Sequence, residues 1–122
     1  GVKLTLITPH SSDHLIFDLG RSSYIRELKE LGADIFFYET AMLHAKLTII
    51  DQDAMIIGSA NIDYRSLFIN HEMVNLIYSK SLILEMQNWT ETLLTQCQDY
   101  QPSDNKLRKL FENLTRIFAP IL

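Results

Sequence analysis

The sequence predicts an α/β fold, a mixed β-sheet with helices packed on it. Three features point there. A β-rich run, a long amphipathic helix and a second β-rich run open the chain. Two short apolar runs around a polar three-residue turn follow, and helical periodicity dominates the last third. The chain has 122 residues, 47% hydrophobic and 21% charged, enough for one domain with a single core.

Lys3 to Thr8 (KLTLIT) is β-branched and leucine-rich and stops at Pro9, which reads as a strand. Ser11, Ser12 or Asp13 offers a cap to a helix from about His14 to Leu31. Leu15, Leu19, Tyr24, Ile25, Leu28 and Leu31 give that helix its apolar stripe, and Gly32 supplies its stop. Asp34 to Glu39 is the next strand, so strand, helix and strand form a parallel βαβ unit.

Lys46 to Ile50 and Ala54 to Ile57 read as a hairpin turning at Asp51-Gln52-Asp53. Gly58 to Asn70 reads as a loop, and Glu72 to Tyr78 as a fifth strand of one mixed sheet. Ser79 or Ser81 caps a helix expected from about Leu82 to Tyr100, with Cys97 an ordinary helix residue. Beyond Pro102, Leu107, Leu110, Phe111, Leu114, Ile117 and Phe118 define a last amphipathic helix at about 105–118. Its flanking cations, Lys106, Arg108, Lys109 and Arg116, suit either an anionic membrane surface or packing on protein.

Composition excludes several classes. A net charge of −4 argues against a general nucleic-acid binder. Cys97 is the sole cysteine, so neither an intrachain disulfide nor a thiolate metal cluster is available. No apolar run approaches the ~20 residues of a spanning helix. Starting at Gly1 and entering a strand almost at once, the sequence reads as a piece of a longer protein.

The chemistry concentrates between His44 and Glu72. His44, Lys46 and Asp51 stand in the spacing HxKxxxxD, followed by GSAN at Gly58 to Asn61 and then by Glu72. Side chains two apart on an extended segment share a side, so His44 projects with Lys46, and Ser59 with Asn61. An imidazole, an ammonium, a hydroxyl and an amide suit a phosphodiester: an acid or nucleophile near neutrality, a cation for the non-bridging oxygens, and neutral donors to orient it. Lysine and asparagine can hold the charge that a metal would otherwise hold, so neither metal nor other cofactor is expected. Asp51 has a plainer reading as a turn aspartate. Arg65 suits a carboxylate partner or a lipid phosphate, while His10 and His14 read as surface residues with substrate contact the alternative. His71 should face away from the side that Glu72 faces.

HAKLTIID with GSANIDYRS resembles the signature of the phospholipase D superfamily, HxKxxxxD followed by GSxN. More closely, the chain is similar to the C-terminal half of bacterial cardiolipin synthases, through GVKLTLITP, RSSYIRELKELGADIFFYETAMLHAK, DYRSLFINHE and NLTRIFAPIL. The resemblance covers nearly the whole chain and implies one half of a phospholipase D-type fold. It makes His44 a catalytic histidine, Lys46 and Asn61 phosphate contacts, Ser59 the motif serine and Asp51 a mostly structural aspartate. Glu72 matches an acidic residue that orients a histidine, which would fix one imidazole tautomer of His44.

The resemblance further implies two displacements through a phosphohistidine, with phosphatidylglycerol as substrate, cardiolipin as product and the bacterial inner membrane as the place. That chemistry takes two histidines, and no other histidine here has a lysine two residues on. The partner is therefore a second phospholipase D-like half in cis, with His44 as general acid and base, or a second copy in a homodimer, as in one-motif phosphodiesterases and nucleases. On the first reading the isolated half is soluble and inactive.

Overall fold

A computed structural model describes residues 1–10, 15–102 and 110. In chain order the elements are β1 (Thr5–Pro9), α1 (Leu15–Glu30), β2 (Asp34–Tyr38), β3 (Leu47–Ile50), β4 (Ala54–Gly58), α2 (Tyr64–Phe68), β5 (Val74–Ile77), α3 (Lys80–Leu94) and β6 (Cys97–Asp99). They fall into two compact units, one of Gly1–Leu43 with Gln96–Leu122, the other of His44–Thr95. The expected helix at 105–118, its Ser103 or Asp104 cap, the Ser11 to Asp13 cap and His14 lie outside the described residues, Leu110 apart.

The α/β class is as the sequence predicts, but the strands form two three-stranded sheets rather than one sheet of five. In the first unit β1 and β2 run parallel in the expected βαβ order, with Thr5 opposite Asp34 and Pro9 opposite Tyr38. Gly32 ends α1 as its sequence suggests. It takes φ 96°, where a Cβ would be strained. Its N–H donates to Lys29 O and that of Ala33 to Leu28 O, the paired bonds that satisfy the last carbonyls of a helix. Ala33 is thereby delivered into the core with Ile25, Ile35 and Tyr100, against which Leu6, Leu28 and Phe37 pack. Ile35 is fully buried and contributes about 1.5–3 kcal/mol by burial alone.

The third strand of this sheet corrects the sequence reading. The helix expected to reach Tyr100 stops at Leu94, and Cys97–Asp99 pairs antiparallel with β2, Tyr38 opposite Cys97 and Phe36 opposite Asp99. Cys97 is therefore a strand residue, and burial pushes its thiol pKa up. Two forces favour the strand. The free edge of β2 carries unpaired backbone groups, and Tyr100 N–H closes the pairing on Ile35 O at 2.9 Å. Tyr100 also buries its ring edge-on against Phe37, centroids 5.4 Å apart. The helix meanwhile ends in Thr90, Thr92 and Thr95, whose hydroxyls turn back onto the carbonyls of Gln87, Asn88 and Thr92.

At the carboxyl end of β1, Arg21 reaches from α1 to Thr8 Oγ1, Pro9 O and His10 O. A cleft of about 500 Å³ opens beside it, with His10 and Phe37 among its walls. His10 stands edge-on to Phe37, centroids 5.5 Å apart.

In the second unit β3, β4 and β5 make an antiparallel sheet in that order. The hairpin turns at Asp51-Gln52-Asp53 as expected, with Asp51 at φ 49° and Asp53 N–H on Ile50 O. Aspartate tolerates that left-handed conformation better than most residues. Gln87 of α3 donates to Asp51 O at 2.8 Å, fastening the helix to the turn. Met55 and Ile83 are the most deeply buried apolar side chains here. Ser79 is the cap residue of α3, but its hydroxyl meets Ser81 Oγ rather than a helix N–H.

Candidate functional site

The site is assembled at one end of the antiparallel sheet. Gly58 N–H donates to Lys46 O, which sets the start of β3 beside the end of β4. Lys46 Nζ lies 2.7 Å from His44 Nε2 and donates to His44 O at 3.0 Å, so the two side chains do converge. An ammonium can only donate. With Lys46 as an ammonium, the contact uses the lone pair of Nε2.

Gly58 and Ser59 close the other side. A Cβ on Gly58 would lie 2.1 Å from Met73 O and 2.7 Å from Val74 Cα, so the approach to β5 requires glycine. Ser59 then stitches the two segments: its N–H donates to Met73 O, its Oγ accepts from Met73 N–H at 3.0 Å, and the hydroxyl donates to Glu72 Oε2 at 2.5 Å. Ser66, Asn70 and the positive charge of Lys46 also favour the ionised form of Glu72. The hydroxyl of Ser59 is the largest of several contacts that hold this carboxyl below its ordinary pKa.

Several sequence expectations meet a different arrangement. Glu72 was expected beside His44; instead its carboxylate lies on Ser59 and Lys46 holds the imidazole. Ser59 faces Glu72 and the loop before β5, and Asn61 lies exposed in the bend beyond β4. Asp51 sits at the opposite end of the hairpin. The four residues of β3 span about 13 Å at ~3.3 Å each, so its carboxylate belongs to the turn. His71, like Met73, is exposed beside half-buried Glu72.

Sequence reasoning missed α2 and, with it, Ser66 and Asn70. Five residues are too few to show helical periodicity. The available signal was Asp63, whose carboxylate takes the Ser66 N–H at 2.7 Å as an N-cap. Among the described residues no three His, Cys, Asp or Glu side chains gather as a metal-binding group.

An imidazole with a lysine on it, a glycine-serine turn and a carboxylate held by that serine thus follow one another along the chain. The chain matches the family described as cardiolipin synthase, PLD-like domain, over residues 1–94, and it belongs to that family. Similar proteins include the cardiolipin synthase of Listeria welshimeri, 32% identical over 127 residues, with the whole of this chain matching 26% of that protein. The cardiolipin synthase of Oceanobacillus iheyensis is 30% identical over 132 residues, and cardiolipin synthase 1 of Bacillus cereus 26% identical over 127, covering 26% and 25% of those proteins. The chain thus spans about a quarter of the length of these relatives. No solved structure matches it.

Proposed function

We propose that the chain is the C-terminal catalytic half of a phosphatidyl transferase that makes cardiolipin from phosphatidylglycerol. The observation that carries this reading is the pairing of Lys46 Nζ with His44 Nε2 at 2.7 Å, beside the Ser59–Glu72 clasp. A phosphodiester entering there offers Lys46 a charged acceptor in place of the neutral imidazole nitrogen, and charge-assisted hydrogen bonds are the stronger kind. Lys46 moves to the non-bridging oxygens and leaves Nε2 free to take up a proton, which gives the protonated His44 that the first displacement uses. Asn61 and Ser59 supply further polar contacts, and Asp51 shapes the hairpin.

In this reading a histidine of a second phospholipase D-like half attacks phosphorus. A nitrogen–phosphorus bond forms, the bond to the glycerol oxygen breaks, and protonated His44 gives its proton to that oxygen. The hydroxyl of a second phosphatidylglycerol then attacks phosphorus while His44 takes its proton back, and the nitrogen–phosphorus bond breaks. The two histidines must begin in opposite protonation states. The reaction takes place at the cytoplasmic membrane, where the lipid is. A second half is supported by apolar side chains of this unit that stay largely exposed: Ile62 is 79% exposed, Phe68 73% and Met73 75%. The relatives named cardiolipin synthase support the transferase over a homodimeric phosphodiesterase.

The direct test is His44→Ala in the full-length protein, assayed for cardiolipin formation. Loss of an acid–base group costs about 10²–10⁴-fold in turnover. Turnover within a few fold of normal would remove His44 from the mechanism.

A further inference from the structure

The first unit holds a cleft that the chemistry of His44 leaves unused. It opens at the carboxyl ends of the parallel pair β1 and β2, and its walls include His10 and Glu39, the residues that directly follow those strands. In open α/β sheets ligands bind in the crevice outside the carboxyl ends of the strands. Contacts within the unit already hold these walls. His10 N–H donates to Tyr38 O at 3.0 Å, His10 O accepts from Arg21 at 3.2 Å, and the ring packs edge-on with Phe37. Glu39 Oε2 takes the amide of Gln98 at 2.8 Å. Asp99 and Gln101 also line the cleft, and their exposed side chains take no hydrogen bond among the described residues. Ile25, Phe37 and Tyr100 supply its apolar surface.

We propose that this cleft binds a small neutral polyol, with Glu39, Asp99 and Gln101 taking its hydroxyl groups. Charge decides against the alternatives. An anionic ligand would meet the carboxylates of Glu39 and Asp99, and a cationic one the guanidinium of Arg21. A polyol offers donors and acceptors together. Carboxylates accept from its hydroxyls, while the Gln101 amide both donates and accepts. Its C–H groups meet the aromatic and aliphatic walls, the mixture of an apolar lining and a few polar groups that small-molecule pockets use. A volume of about 500 Å³ is ample for a polyol of a few carbons. None of the lining residues belongs to the His44 motif, so this inference stands apart from the phosphodiester chemistry.

The test is glycerol binding to the full-length protein, followed by saturation-transfer NMR in a His44→Ala/Lys46→Ala background that removes the phosphate site. Saturable binding in the millimolar range is expected of a ligand with so few atoms. Asp99→Ala should weaken it by on the order of 10-fold and Gln101→Ala by about 3-fold, losses typical of hydrogen bonds to a charged and a neutral group. Gln101 lies beyond β6, so its variant keeps the test intact if Asp99→Ala loosens that strand. Glycerol 3-phosphate and ethanolamine should displace glycerol less well than neutral erythritol does. Glu39→Gln with Asp99→Asn, which removes both charges and keeps both shapes, should improve displacement by glycerol 3-phosphate. No saturable binding, binding that Gln101→Ala leaves unchanged, or a charged ligand that outcompetes erythritol would overturn the proposal. Vesicles of phosphatidylglycerol separate two sources of the polyol. Displacement of glycerol by them marks a lipid headgroup and lack of displacement a free polyol, and either result upholds the cleft as a polyol site.

Discussion

Gly58 and Ser59 show why two small residues follow a strand at this site. Without a Cβ, Gly58 lets the backbone of Met73 and Val74 approach, and Ser59 binds both the amide and the carbonyl of Met73. Gly58→Ala must push backbone aside, because the atoms in its way are not the ends of flexible side chains. A cost of about 2–4 kcal/mol is expected, within the tail of severe substitutions, read as a lowered midpoint in denaturant. An unchanged midpoint would mean that β5 can shift without loss. Glu72 carries a pH signature with a definite sign. Its folded pKa is lowered, so its contribution to stability is present above the unfolded value and disappears as pH falls through the folded one. A melting-temperature profile should therefore show a decline on the acid side that Glu72→Gln reduces.

At the scale of elements, what the sequence made legible were the parts whose signals are local. β1, β2 and the hairpin have β-branched runs ended by turn residues, and α1 has its stripe and its glycine, so each lies within a few residues of its expected place. His44 and Lys46 were legible for the same reason, since their convergence follows from spacing alone. β6 and α2 were not legible. The residues from Gln96 to Tyr100 continue a helical pattern, and only the open edge of β2, sixty residues earlier in the chain, makes them a strand. The partition into two sheets depends on pairings that no local pattern encodes. Glu72's attachment to Ser59 was hidden likewise, because it depends on where the loop after β4 returns. If β6 is held by Tyr100, then Tyr100→Ala should cost about 3–5 kcal/mol, as for other buried aromatics. Hydrogen exchange at the Cys97–Asp99 amides would rise with it, and continued protection there would show that the ladder alone holds the strand.

For the whole molecule the decisive quantity is the number of histidines that one active site can reach. A phosphohistidine route needs two, and this chain brings one HxK motif with its lysine in contact. Its relatives are about four times as long, which leaves room for a second motif in the same polypeptide. The exposed Ile62, Phe68 and Met73 flank the site on the same unit and would be costly to leave in water in the working protein. The proposed architecture therefore predicts that the 122-residue chain alone sediments as a monomer and does not turn over a soluble chromogenic phosphodiester. Supplying the second half should restore turnover, and His44→Ala should abolish the restored activity. A dimer of this chain that hydrolyses the diester by itself would mean that two copies of His44 share one site. The homodimeric phosphodiesterase would then replace the transferase half as the reading of this chain.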